Sequence, residues 1–428
     1  MSHWSLPLKT KSASRGIKRI DLAYVQVASS ESARDINRDI VLEIIRSKQP
    51  VSRADVARLS GLQRSTVSAI VEQLIDELWV TEGAVARLPR GRRPTLLSLN
   101  DQLVILVADV HPEYATVALV DLNERFLARE VIPLVSDPSR AVDRIVRCMQ
   151  HMRDLYADRS FEGVGLSMPG RIDPRTQRLI LAPNLKWGDF DVKKAFEQKM
   201  KMQVELANAA NASLLAELWS GRLDGVRNAV LLTISEGLGA AIFANGQIVT
   251  SLSGLAGEFG HAPLDPAGPA CGCGQQGCWE VFAASSAALR HYAESAVEEV
   301  TAQNQYPSIQ TLLLMAEEGD ARATDAITRQ CEALGRGMRL VTTTLAPEVI
   351  LIAGDLNPFW DRFGPVVQAA LERSMLAGKA PKLIITRDGE LAGLRGAAAV
   401  VLQRHTSQHR EAGKPRRRQR NELAAVAG

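Results

Sequence analysis

Three cysteines crowd into the eight residues Cys271-Gly272-Cys273-Gly274-Gln275-Gln276-Gly277-Cys278, and His261 stands ten residues ahead of the first. Three thiolates and an imidazole complete a tetrahedral donor set for a soft divalent ion, and a shell without a vacant position is structural rather than catalytic. The set predicts a structural Zn2+ held by His261, Cys271, Cys273 and Cys278. Glycines at 272, 274 and 277 supply tight turns that let the sulfurs converge. Three unligated thiols are the alternative. Only Cys148 and Cys331 lie elsewhere, so the cysteines do not form a secreted disulfide framework.

A second chemistry sits near the N-terminus. Val67, Ile70, Val71, Leu74, Ile75 and Leu78 recur at helical spacing, and the face away from that stripe carries Gln63, Arg64, Ser65, Thr66 and Ser68. Short polar donors at the start of an amphipathic helix suit base edges in the major groove of DNA. Residues 83–100 hold four arginines and no acid, among them Arg90, Arg92 and Arg93 in Pro89-Arg90-Gly91-Arg92-Arg93-Pro94. Prolines keep such a segment extended and glycine keeps it thin, which suits the narrow minor groove of A·T-rich DNA and resembles an AT-hook. A solvated wing tip touching only phosphates is the alternative.

The elements that must position these residues are legible around them. Ile36, Ile40, Val41, Ile44 and Ile45 predict a helix ending near Ser47, and Ser52 caps a short helix with Val56, Ala57 and Leu59 inward. After the third helix, strands near Trp79–Thr81 and Leu96–Leu99 complete a winged helix-turn-helix. A generic three-helix bundle would bury the same stripe but does not require the arginines.

Beyond residue 100 the pattern is α/β. Strands at Leu103–Val110, Ala115–Val120 and Leu127–Ile132 lead into alternating helices and strands, and a second meander starts at Ala229–Ile234, Gly239–Ala244 and Gln247–Val249. Two such openings imply a bilobal α/β protein with a cleft between the lobes. The division reads as a mobile basic arm over 1–30, a winged helix over 31–100, a first lobe over 101–225, a second lobe with the zinc site over 226–404, and a disordered basic tail over 405–428.

Charge supports that division. The net +3 of the 428 residues resolves into +6 over residues 1–100, +4 over 405–428 and −7 between, and basic ends on an acidic body suit nucleic acid at the ends. With 46% hydrophobic and 23% charged residues the chain can bury real cores. No stretch resembles a signal peptide or a membrane span, which predicts a cytoplasmic protein without membrane contact.

Gly257-Glu258-Phe259-Gly260-His261, the cysteine cluster and Glu280 together resemble the signature of the ROK family of repressors, open reading frames and kinases. The resemblance extends over 100–404, through Pro169-Gly170-Arg171-Ile172-Asp173, Ala182-Pro183-Asn184-Leu185 and Gly393-Leu394-Arg395-Gly396-Ala397-Ala398. It implies an actin-like or ribonuclease H-like sugar-kinase fold. It also implies that Glu258, His261 and Glu280 face sugar hydroxyls, with Asn184 and Asn208 helping from the other lobe, so that His261 can serve both metal and sugar. Carboxylates and amides suit polyols.

Departures from the kinase pattern favour a sensor over an enzyme. Family kinases place an Asn-Asp pair where this chain has Asn208-Ala209-Ala210-Asn211, so Ala209 stands in place of the proton-accepting carboxylate. Asp109-Val110-His111-Pro112-Glu113-Tyr114 lacks the glycines of a phosphate-cradling turn, and Ser235-Glu236-Gly237-Leu238-Gly239 keeps only two. The expectation is a sugar-responsive transcriptional repressor without catalytic residues. Its partners are an A·T-rich double-stranded operator, a sugar or sugar phosphate effector and a second copy in a homodimer or homotetramer. Two alternatives stay open: a sugar kinase with an appended DNA module, and a regulator controlled by a phosphotransferase-system protein.

Overall fold

The computed structural model describes residues 30–85, 95–173, 176–182, 185–187, 190–251, 254–295, 307–374, 378–387, 389 and 391–404. The expected basic arm, the hook residues Arg90, Arg92 and Arg93, the amide Asn184 and the basic tail lie outside the described residues.

The N-terminal unit comprises α1 (Ser30–Lys48), β1 (Val51–Ser52), α2 (Arg53–Ser60), α3 (Arg64–Asp76), β2 (Val80–Val85) and β3 (Thr95–Leu99). Ser52 is the N-cap of α2, its Oγ accepting the Asp55 amide at 3.2 Å, a bond typically worth about 1 kcal/mol. Val67, Ile70, Val71 and Leu74 form the buried stripe of α3. The wing gains a third strand, with β1 pairing antiparallel to β3 and the order β1-β3-β2.

Four expected core positions move outward. Ile36, Ile40 and Leu59 are exposed, and Leu78 lies past the end of α3 in a left-handed turn with φ 65°. The inward residue of α1 is Arg38, 1% exposed, in helical register with Val41 and Ile45. Its guanidinium donates to Glu77 and lies 5.8 Å from the Trp79 ring centroid, so the buried charge is both paired and stacked.

The first lobe opens with the meander β4 (Leu103–Val110), β5 (Tyr114–Asp121) and β6 (Phe126–Pro133). It continues through α4 (Pro138–Leu155), β7 (Ser160–Met168), the short pair β8 (Arg171–Ile172) and β9 (Leu179–Leu181), α5 (Val192–Met200), β10 (Val204–Asn208) and α6 (Ala209–Trp219). The sheet order is β10-β7-β4-β5-β6, with β7 parallel to both β4 and β10. Because β4 is buried along its whole length, it reads as an apolar run interrupted only by Asp109. Val104, Leu106 and Ala108 pack with α4 and α5, whereas Leu103, Ile105 and Val107 belong to one apolar cluster that continues into the N-terminal unit.

The second lobe repeats the plan. β11 (Ala229–Ile234), β12 (Leu238–Ala244) and β13 (Gln247–Ile248) form an antiparallel meander. Helices α7 (Glu280–Ala283), α8 (Ser285–Glu294), α9 (Ile309–Glu317) and α10 (Ala321–Leu345) precede β14 (Val349–Gly354), α11 (Trp360–Ser374), β15 (Lys382–Ile385) and α12 (Ala392–Gln403). The order is β13-β12-β11-β14-β15, with β14 parallel to β11 and β15. Extended backbone at Ala284, ψ 163°, separates α7 from α8. The closing helix α12 returns to the first sheet, where Leu394, Ala397 and Val401 join the cluster of Leu103 and Ile105. Helix α6 packs Ala210 and Leu214 toward β11, and Ala212 and Leu215 toward α12. It therefore ties the lobes together.

Candidate metal centre and effector cleft

The donor atoms of His261, Cys271, Cys273 and Cys278 all lie within 4.8 Å of one another. Cys271 Sγ is 3.6 Å from His261 Nδ1, and the sulfurs of Cys273 and Cys278 are 3.6 Å apart. Zn–S bonds of about 2.3 Å in a tetrahedron separate ligand atoms by roughly 3.8 Å, so the four side chains fit such an ion. Two of the three expected glycines are required. Gly277 has φ 66° and a Cβ there would lie 1.5 Å from the Asp265 carbonyl, and Gly274 has φ 89°; Gly272 has neither constraint.

Burial pushes the Cys278 thiol up to about 12 and raises that of Cys271. Burial also acts on Cys273, but the Gln275 amide and the neighbouring thiols outweigh it and hold that thiol below its ordinary value. An incoming ion must displace these protons, so affinity falls as the solution becomes acid.

The other imidazole nitrogen, His261 Nε2, is 3.6 Å from Glu258 Oε2. Both residues lie on the 3-10 turn Glu258–His261, entered through Gly257 at φ 90°, where a Cβ would lie 2.1 Å from the Ala240 carbonyl. Glu280 opens α7, and its Oε2 accepts the Leu238 amide at 2.9 Å while Oε1 lies 3.8 Å from Cys271 Sγ. Asn208 caps α6, its Oδ1 accepting the Asn211 amide at 2.9 Å, and the next turn sets Ala210 against Gly239. Glu258, His261, Glu280 and the Asn208 cap thus gather around the first residues of β12. Burial raises the Glu258 carboxyl above its usual range, His261 and Arg171 oppose that shift, and Glu280 adds to it. Arg171 had no expected role; its only signal was one charge after Pro169-Gly170.

Across from this cluster the β4–β5 turn is occupied by its own side chains. His111 Nε2 is 3.1 Å from Asp109 Oδ2, and the imidazole stacks on Tyr114 with centroids 4.5 Å apart. Burial lowers the His111 basicity, but Asp109, Glu236 and Asp355 outweigh it and leave the pKa raised. Asp355 is itself raised by burial, and Ser285 Oγ donates to it at 2.6 Å. Ala209, the first residue of α6, is half-buried and has no acid to offer.

On the N-terminal unit, Gln63, Arg64 and Ser65 are exposed and Thr66 and Ser68 half-buried. Gln63 is the N-cap of α3 without a side-chain cap bond, and among the described residues none of the five side chains has a hydrogen bond or ion pair. Neighbouring arginines are engaged: Arg53 bonds Glu72 and Glu82, and Arg58 bonds Asp55.

The two regions meet at α6. Arg46 at the end of α1 donates to the Trp219 carbonyl and lies 5.3 Å from its ring centroid. Gln49 donates to Asn123 at 2.8 Å and accepts the Leu99 amide at 2.8 Å. One helix therefore begins at Asn208, beside the cleft, and ends against the N-terminal unit.

A sequence profile of the ROK family matches residues 108–404. The xylose repressor of Bacillus subtilis (strain 168) is 28% identical over 336 residues, which covers 78% of this chain and 85% of that protein. The DNA-binding transcriptional dual regulator NagC of Escherichia coli (strain K12) is 24% identical over 370 residues, 85% of this chain and 91% of its own. Among solved structures, a ROK family transcriptional regulator described as a homolog of the E. coli MLC protein matches with a TM-score of 0.76 and 26% identity. That match covers 89% of this chain and 99% of the other. A ROK family glucokinase from Streptomyces griseus, in complex with glucose and AMPPNP, covers 70% of this chain and 99% of its own with a TM-score of 0.61 and 24% identity, a likeness of fold alone.

Proposed function

The chain belongs to the ROK family, and from that premise we propose that it is a sugar-responsive transcriptional repressor of carbohydrate uptake or catabolism whose sensor domain does not phosphorylate its ligand. The observation that carries this reading is the path from Asn208 to Trp219 along α6, which joins the cleft to a winged helix with an open recognition face. Gln63, Arg64, Ser65, Thr66 and Ser68 would meet base edges, and Arg90, Arg92 and Arg93 the minor groove. Glu258, His261, Glu280, Asn184 and Asn208 would take sugar hydroxyls, since each offers a donor or acceptor that a missing hydroxyl would leave unpaired.

Zinc at the Cys3His cluster would add folding energy and fix the ring of His261. With Nδ1 directed to the metal shell, Nε2 is left toward Glu258 and the sugar. Loss of kinase chemistry rests on two arrangements. Ala209 leaves the attacking hydroxyl without a base, and the His111–Tyr114 stack facing Glu236 and Asp355 puts carboxylates where a nucleotide would bring phosphates. Two copies would read two half-sites of one operator.

The test is paired. Operator binding by the full chain is titrated with and without sugars, and sugar-dependent ATP hydrolysis is followed in a coupled assay. Sugar-shifted DNA affinity without hydrolysis is expected; turnover of ATP with any bound sugar would make the chain a kinase with a DNA module.

A further inference from the structure

Among the described residues, Arg171 stands without a hydrogen-bond or ion-pair partner beside Glu258. Arg171 lies on β8, in register with Leu181 of β9. Its stem reaches residue 254, where a Cβ on Gly254 would lie 3.1 Å from Arg171 Cγ. Its Nε is buried without a hydrogen-bond partner, and among the described residues the guanidinium forms no hydrogen bond or ion pair. The other part-buried arginines are engaged: Arg38 with Glu77, Arg46 with Trp219, Arg222 with Glu217, Arg395 with Glu124 and Arg404 with Glu162. Glu258 is near enough for the charge of Arg171 to act on it, yet forms no ion pair with it and stands 3.6 Å from His261 instead.

A buried charged donor left unmade is costly, and a guanidinium presents a planar fork that matches carboxylate and phosphate oxygens. We propose that Arg171 is the anion-recognising residue of the effector site, so that the effector is a monosaccharide carrying a phosphate or carboxylate group. This rests on the reading of the cleft as a sugar site. Glu258 and Glu280 offer acceptors for hydroxyls, which an anion cannot use, and Arg171 offers donors that hydroxyls alone would leave partly unpaired. The two chemistries divide one ligand between them.

The test uses full-length protein and measures affinities for glucose, galactose and N-acetylglucosamine, for their 6-phosphates, and for glucuronate and galacturonate, with inorganic phosphate as a control. The tightest ligand should be anionic, and the phosphate and uronate arms separate the two sources. Arg171→Gln should weaken that ligand at least about tenfold and its neutral parent less than about twofold, while Arg171→Lys keeps most of the preference for the anion. The lysine variant also serves if the glutamine variant fails to fold. Equal weakening of neutral and anionic sugars by Arg171→Gln would show that the arginine only positions Glu258, and a neutral sugar binding tightest would likewise overturn the proposal. If Glu258→Gln alters no sugar affinity, or no sugar binds, the cleft reading fails and the proposal with it. If Glu258→Gln abolishes binding while Arg171→Gln changes no preference, the sugar site stands and the anion proposal alone is overturned.

Discussion

The proposed metal loop and the proposed effector cleft share one histidine yet are built in opposite ways. Cys271, Cys273 and Cys278 come from eight consecutive residues, and two glycine-dependent turns suffice to bring their sulfurs together. The cleft draws on β8, the cap of α6, the turn after Gly257 and the start of α7, and only the two sheets place these side by side. His261 joins the systems, with Nδ1 toward the cysteines and Nε2 toward Glu258. A local site fails as a unit when one member is removed. A dispersed site should lose affinity in steps, because each contact is made by a separately anchored element.

The largest expected effect follows from the first half of that contrast. Cys273→Ser should release the metal and lower the melting temperature by about 10 °C or more, since structural zinc contributes directly to folding. Metal analysis and a thermal scan check this, and carefully purified wild-type protein without zinc would end the idea. Glu258→Ala should come next, weakening sugar response about tenfold while the protein stays folded and metal-loaded. Loss of zinc in that variant would show that the two sites are not separable. Arg46→Ala should then leave sugar affinity near its wild-type value but reduce the sugar-dependent change in operator affinity about fivefold, because it cuts the contact between α1 and α6. Calorimetry for sugar and a DNA-binding titration separate the two readouts; an unchanged coupling would remove α6 as the route. The smallest effect is expected at the wing. Arg92→Ala should abolish a preference for A·T-rich flanks, whereas equal weakening on both flanks with a salt slope reduced by about one ion would mark a phosphate contact instead.

The same contrast governs what could be read before the structure. Leu103–Val110 and Ala229–Ile234 have the expected bounds because apolar spacing and flanking turns are local signals. So is the cap of α2 at Ser52. Burial at a helix edge is not. Ile36 and Arg38 lie on nearly opposite faces of α1, and only the placement of Glu77 and Trp79 decides that the arginine's face goes in. Arg46 and Trp219 are 173 positions apart, and no spacing rule connects them. Arg171 carries no spacing signal of its own, and that its guanidinium meets no acceptor among the described residues becomes visible only once its neighbours are placed.

The central claim is that a ligand in the cleft sets the affinity of a separate DNA-binding face. It is tested most directly by titrating the full-length, metal-loaded chain with operator DNA at several concentrations of a sugar that stabilises it thermally, in parallel for wild type and Glu258→Ala. The wild-type operator Kd should rise with sugar by at least about fivefold, and the variant should need about ten times more sugar for the same rise. An operator affinity indifferent to a sugar that demonstrably binds would contradict the central claim.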